Sequence, residues 1–173
     1  YSTISNMLVA TPGLNEDKRA RYGMTVIEGI NGENVIIPDM RNPPYNYDGI
    51  VSISENAFRG RSKLHKVQLP ETIYAIYESA FRDCVELTDI TIPDSVSHID
   101  ESAFAGCRSL DNIRIPDSVC IIGSAAFRGC SMLSSVSYPS GETDIPSLAF
   151  ADCSNLVSVL IPNTITAISD SAF

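Results

Sequence analysis

Five cysteines and two histidines are the side chains of this 173-residue chain with the most reactive chemistry to offer. Four of the thiols, Cys84, Cys107, Cys130 and Cys153, fall 23 residues apart, and Arg61 takes the place one period earlier. A disulfide framework needs Cα atoms within about 7 Å and converging side chains. A zinc site is usually marked by close pairs of the C-x2-C kind. Both readings are weak here, and the odd cysteine count argues against full pairing. The plainer reading is a ladder of small thiols filling an interior, since free cysteine is among the most buried residue types.

Cys120 stands outside that register, seven residues before Phe127, and His98 lies six before Phe104. The two fall one period apart and are candidates to approach each other. A nucleophilic cysteine also needs an orienting group and oxyanion donors. The sequence offers neither, so no catalytic residue is assigned and the chain is read as non-enzymatic. His65 reads as a surface residue at a strand edge. Acidic residues form partial columns, with Glu55, Glu78 and Glu101 before the phenylalanines and Asp94 and Asp117 after prolines. These suit turn capping and solubility. A calcium site would need a denser oxygen cluster than one carboxylate per period, so no metal and no cofactor is expected. Arg59, Arg82 and Arg128 form an outward basic column beside neighbouring acids.

What positions these groups is a repeat. All six phenylalanines, Phe58, Phe81, Phe104, Phe127, Phe150 and Phe173, are spaced by 23 residues, and each follows an alanine. Leu64, Leu87, Leu110, Leu133 and Leu156 hold a column six residues later. Val67, Ile90, Ile113, Val136 and Val159 follow, then Leu69, Ile92, Ile115, Tyr138 and Ile161, and prolines 70, 93, 116, 139 and 162 close the segment. A further isoleucine column runs from Ile53 to Ile168, five residues before each phenylalanine. Alternation of apolar and polar residues in L-x-x-[IV]-x-[IL]-P is the pattern of a short half-buried strand. Proline ends that strand, because it lacks the N–H of the next ladder bond. A second short extended stretch precedes each phenylalanine, and Ser-Ala-Phe-x-x-Cys reads as a tight turn or a single helical turn. One such unit cannot bury its own apolar face, so neighbouring units must stack around a shared core.

The run IPDSVSHIDESAFAGCRSLDNIRIP, Ile92 to Pro116, resembles the BspA-like, or Treponema-type, leucine-rich repeat of bacterial surface proteins. The resemblance covers residues 50–173. It departs from the commoner leucine-rich repeat, where an Asn or Cys shortly follows the strand and this chain has proline. The expected fold is a right-handed repeat solenoid of 23-residue coils, with parallel short strands joined by turns and 3-10 or single-turn helical segments. The resemblance implies a secreted or cell-surface bacterial protein and adhesion to host matrix or partner proteins.

Residues 1–48 do not follow the period and are read as an N-terminal cap. In it, MTVIEGINGENVII (Met24 to Ile37) has apolar arms around Asn31-Gly32, a type I′ hairpin signal. Nine extra residues around MRNPPYNYDG form an inserted loop, in which Arg41, Tyr45 and Tyr47 are of types enriched at binding hot spots. The alternative is a plain linker between cap and repeats. Residues 49–173 hold about five and a half repeats. The chain starts at Tyr1 without Met and stops at Phe173 in the middle of a repeat, so a trimmed portion of a larger protein is the expectation.

The net charge of −9 is spread as −2 over residues 1–48 and −7 over residues 49–173. Neither portion is basic, which excludes nucleic acid as the partner class, because phosphate tracking needs clustered Lys and Arg. No apolar run approaches the ~18 residues of a membrane-spanning helix. The resemblance implies a protein partner, and a monomer is the expectation. The predicted docking surface is the outward face of the longer strand, with Lys66, Asp89, Asn112, Ser135 and Ser158 in one column. Gln68, Thr91, Arg114, Ser137 and Leu160 form the second. These positions vary from coil to coil while the interior columns hold constant. A rival patch is Tyr74, Tyr77, Cys120 and Ile121 on the second extended stretch. The competing function is a passive spacer that presents another domain and has no ligand of its own.

Overall fold

The computed structural model describes residues 27–28, 34–37 and 52–173. They form a solenoid with two strands per coil. The longer strands are β2 (Asn34–Ile36), β4 (Lys66–Gln68), β6 (Asp89–Thr91), β8 (Asn112–Arg114), β10 (Ser135–Ser137) and β12 (Ser158–Leu160). The shorter are β3 (Ser52–Ile53), β5 (Ala75–Ile76), β7 (His98–Ile99), β9 (Ile121–Ile122), β11 (Asp144–Ile145) and β13 (Ala167–Ile168). Paired strands within the repeats run parallel with partners 23 residues apart, as Lys66 with Asp89 and Ile76 with Ile99. Before them, β1 (Ile27–Glu28) pairs antiparallel with β2, Ile27 opposite Ile36. Residue 31 and residue 32 lie outside the described residues, so the hairpin turn is not described. β2 then joins β4 in parallel, Asn34 opposite Lys66.

Like residues stack because the period matches the coil. Parallel strands sit about 4.8 Å apart, so each interior column becomes a ladder. The five rings from Phe58 to Phe150 are at most 1% exposed. They lie nearly flat on one another, 4.9–5.5 Å between centroids and 2–8° between planes. Phe173 continues the stack 5.8 Å from Phe150 with half its surface open.

The expected helical segments do not form among the described residues; the stretch around each phenylalanine is a run of turns. The cause is local. Two residues before each phenylalanine the backbone has positive φ, as at Asn56 (57°), Ser102 (57°) and Leu148 (60°). Two residues after, it does so again at Gly60 (72°), Asp83 (60°), Gly106 (74°), Gly129 (71°) and Asp152 (62°). A right-handed helical turn cannot contain such residues. The left-handed steps instead aim alternate N–H groups at the next coil. Asn56, Phe58 and Gly60 donate to the carbonyls of Glu78, Ala80 and Arg82, and the pattern recurs coil by coil. The phenylalanine is thereby fixed at both ends of its own peptide unit.

The hydrogen-bonded ladders break once on each side. The longer strands pair as β1-β2-β4-β6 and separately as β8-β10-β12, and the shorter strands as β3-β5-β7-β9 and separately as β11-β13. Tyr77, Asp100, Gly123 and Ser169 each donate an N–H to the isoleucine carbonyl of the preceding coil. Pro146 occupies the matching place between Gly123 and Ser169 and has no N–H to give. Glu142, which holds a site filled by Ile73, Val96, Val119 and Ile165 in other coils, serves the N–H side of Ile122, whose strand β9 is not paired with β11. It is buried, and its carboxylate accepts the Ile122 N–H. Burial pushes the Glu142 carboxyl above its ordinary value of 4.5, opposed by the Ile122 bond. A raised carboxyl pKa means a stabilising contribution present below 4.5 and lost as pH rises through the folded-state value. Glu142→Gln keeps the accepting oxygen and removes the charge. The expected result is greater stability than wild type at pH 7 and equal stability in acid, read from urea unfolding across pH.

Candidate protein-binding face

Each longer strand has its central residue buried and its two flanking residues exposed in β4, β6, β8 and β10. This follows from the period-two alternation of a strand. Lys66 stands opposite Asp89 and Asn112 opposite Ser135, with Gln68 opposite Thr91 and Arg114 opposite Ser137 in a second row; the ladder is interrupted between β6 and β8. Lys66 pairs with Asp89 across the strand interface. Arg114 reaches Asp94 at 2.7 Å, and the contact raises the Arg114 pKa through the hydrogen bond and charge of Asp94. All four side chains are more than half exposed. Exposed pairs of this kind contribute little to stability because solvent screens them, so a partner can exchange them for its own contacts at small cost. Arg41, Tyr45 and Tyr47 lie outside the described residues.

On the shorter strands, Tyr74 and Tyr77 share a 3.0 Å hydrogen bond between hydroxyls. That bond, with partial burial, pushes the Tyr77 phenol up to about 12. The Tyr74 ring meets the His98 ring edge-on at 6.3 Å. Ile121 is exposed beside them, opposite His98 in register.

The structure does not bring Cys120 and His98 together as a reacting pair. The Cys120 thiol is directed to the Ser97 carbonyl at 3.5 Å, while His98 Nδ1 lies 2.7 Å from Ser97 Oγ. The four registered thiols do form one ladder. Cys84, Cys107, Cys130 and Cys153 each donate to the carbonyl of Phe58, Phe81, Phe104 and Phe127, at 3.1–3.3 Å. All are free and buried. Burial pushes the Cys84 thiol up to about 12, and Cys107 is raised well above its usual range for the same reason. Of the outward arginines, Arg128 pairs with Asp152 at 3.0 Å and Arg82 lies 3.6 Å from Asp83. Arg59 donates to Asn56. Asp117 caps the next coil, accepting from the Ser140 N–H and hydroxyl, which lowers its pKa. Among the described residues no group of three or more His, Cys, Asp or Glu is placed to hold a metal ion. Nor is any helix among them long and apolar enough to cross a membrane.

Stacked parallel coils with a phenylalanine spine and an exposed strand face define a leucine-rich repeat solenoid. Residues 51–173 match the BspA type leucine-rich repeat region in six copies, and the chain belongs to that family. No curated protein matches the chain. Among solved structures, a leucine-rich repeat protein from Bacteroides ovatus is 32% identical with a TM-score of 0.61, over 84% of this chain and 44% of that one. This chain thus spans less than half of that protein's length. The T. pallidum leucine-rich repeat protein is 29% identical with a TM-score of 0.61, over 79% of this chain and 73% of that one. A leucine-rich cell surface protein from Faecalibacterium prausnitzii is 26% identical with a TM-score of 0.50, over 82% and 50%.

Two features are less legible in the sequence. Glu142 is the one acid in a column otherwise held by Ile73, Val96, Val119 and Ile165, and its role is defined only by its contact with Ile122. The Tyr74–His98 contact needs the two coils stacked, and no linear signal gives it.

Proposed function

We propose that this chain is the partner-binding region of a bacterial cell-surface protein, working without catalysis and as a monomer in adhesion to host or partner proteins. The observation that carries the reading is the exposed strand face, whose residues change from coil to coil while the ladders beneath them do not. A scaffold that is rigid inside and variable outside suits recognition, because few side chains must be ordered when a partner arrives. The polar, Ser/Thr-rich character of the face fits a wet interface of moderate affinity. The surface setting is supported by the F. prausnitzii relative, which is described as a cell surface protein.

Capture from extracellular-matrix extract tests it. The wild-type chain is expected to retain a matrix protein, and the triple variant Lys66→Ala, Asp89→Ala, Arg114→Ala is expected to lose it. These side chains are exposed and their ion pairs weak, so the variant should unfold at nearly the wild-type temperature. Equal capture by both chains would move the binding site elsewhere. Capture by neither would leave the passive spacer.

A further inference from the structure

Charge on this solenoid is divided across each coil rather than along the chain. Between residues 52 and 173, the arcs running from each proline to the next phenylalanine contain the shorter strands. Those arcs hold ten carboxylates and neither lysine nor arginine. The complementary arcs, which contain the longer strands, hold all eight basic residues and five acids. Of the five ion pairs among the described residues, only Asp94 with Arg114 involves an acid of the first set. That face is therefore a surface of one sign with almost no internal compensation.

A merely solubilising face would be polar throughout. This one has exposed apolar groups at its middle: Tyr74 is 42% and Ile121 45% exposed. Beside them, Ser54, Glu55, Tyr77, Glu78 and Asp100 line an open groove of about 360 Å³. The groove offers one phenol ring and three carboxylates and contains no cation of its own. A guanidinium or ammonium group can stack on such a ring while a carboxylate takes its hydrogens. Acidic partners are repelled by the same charges.

We propose that the shorter-strand face docks a basic protein segment, whose Arg or Lys side chain enters the groove beside Tyr77 while an apolar neighbour covers Tyr74 and Ile121. The proposal rests on the reading of the chain as a protein-binding module and names the partner chemistry for its second sheet. Binding of a fluorescent peptide that repeats Arg-Ser-Leu, followed by anisotropy, tests it with two charge-matched variants. Glu55→Gln, Glu78→Gln, Asp100→Asn neutralises the groove. Glu86→Gln, Asp111→Asn, Asp152→Asn removes the same charge from the longer-strand side. The groove variant is expected to bind about tenfold more weakly and the control within about twofold of wild type. Tyr77→Leu keeps the bulk, loses the ring face, and should weaken binding several-fold. Matching thermal unfolding of both triple variants establishes that each is folded. Equal weakening in the two would reduce the effect to net charge and overturn the proposal, as would failure of the wild type to bind. Either result leaves matrix capture by the longer-strand face standing, because that assay reads the other sheet.

Discussion

Phe104→Ala is expected to lower the unfolding free energy by about 3–5 kcal/mol, the range for removing a large buried ring. Phe104 is fully buried and lies between Phe81 at 5.2 Å and Phe127 at 5.4 Å. The space left behind cannot close easily. The Phe104 N–H is held by the Ala126 carbonyl and the Ala103 carbonyl by the Phe81 N–H, both at 2.8 Å, which fixes the coil spacing. A cavity that cannot collapse sits at the costly end of the range. Phe173→Ala, by contrast, removes a half-exposed ring with a single stacking neighbour at 5.8 Å. It should cost about 1–2 kcal/mol from lost apolar burial. Because each coil contacts only its neighbours, the central variant should also broaden the transition by uncoupling the coils on either side. Urea unfolding of both variants measures this. Equal losses at the two positions would sink the continuous spine.

The second large effect is in thiol reactivity. One thiol per chain, Cys120, should react with an aromatic disulfide reagent at a rate near that of a free thiol. Cys84, Cys107 and Cys130 should be slower by about a thousandfold or more, since reaction requires the coil to open. Three observations combine here. These sulfurs are 0% exposed, each donates its proton to a carbonyl of the preceding coil, and the thiolate is suppressed by burial at Cys84 and Cys107 and by the contact with Cys153, then burial, at Cys130. Cys153 is 9% exposed and lies in the last full coil, so it should fall between the two classes. Denaturant is expected to release all five at one rate. Fast labelling of Cys107 in the native protein would contradict the interior ladder.

Much of this architecture was readable in the residues. The phenylalanine, leucine and isoleucine columns fixed the coil length, the two strands and the identity of the core, because a buried ladder tolerates little variation. The backbone between strands was less legible. Gly60, Gly106 and Gly129, with Asp83 and Asp152, carry the usual signal for positive φ. The matching column before each phenylalanine includes Ala125 (57°) and Leu148 (60°). Those two residues hide the left-handed step, and the segment reads as a helical turn. The candidate faces followed from alternation alone, whereas the division of charge between the two sheets did not. Charge summed along the chain gives −2 and −7; the asymmetry emerges only when each coil is split at its proline.

The turn ladder also gives the stack a polarity. In its three columns every peptide N–H faces the following coil and every partner carbonyl faces back. Along that edge each coil offers donors to the coil after it and acceptors to the coil before it, the reverse of the order in an α-helix. Each coil therefore accepts the next one in a single sense, so any further repeat continues the direction already set.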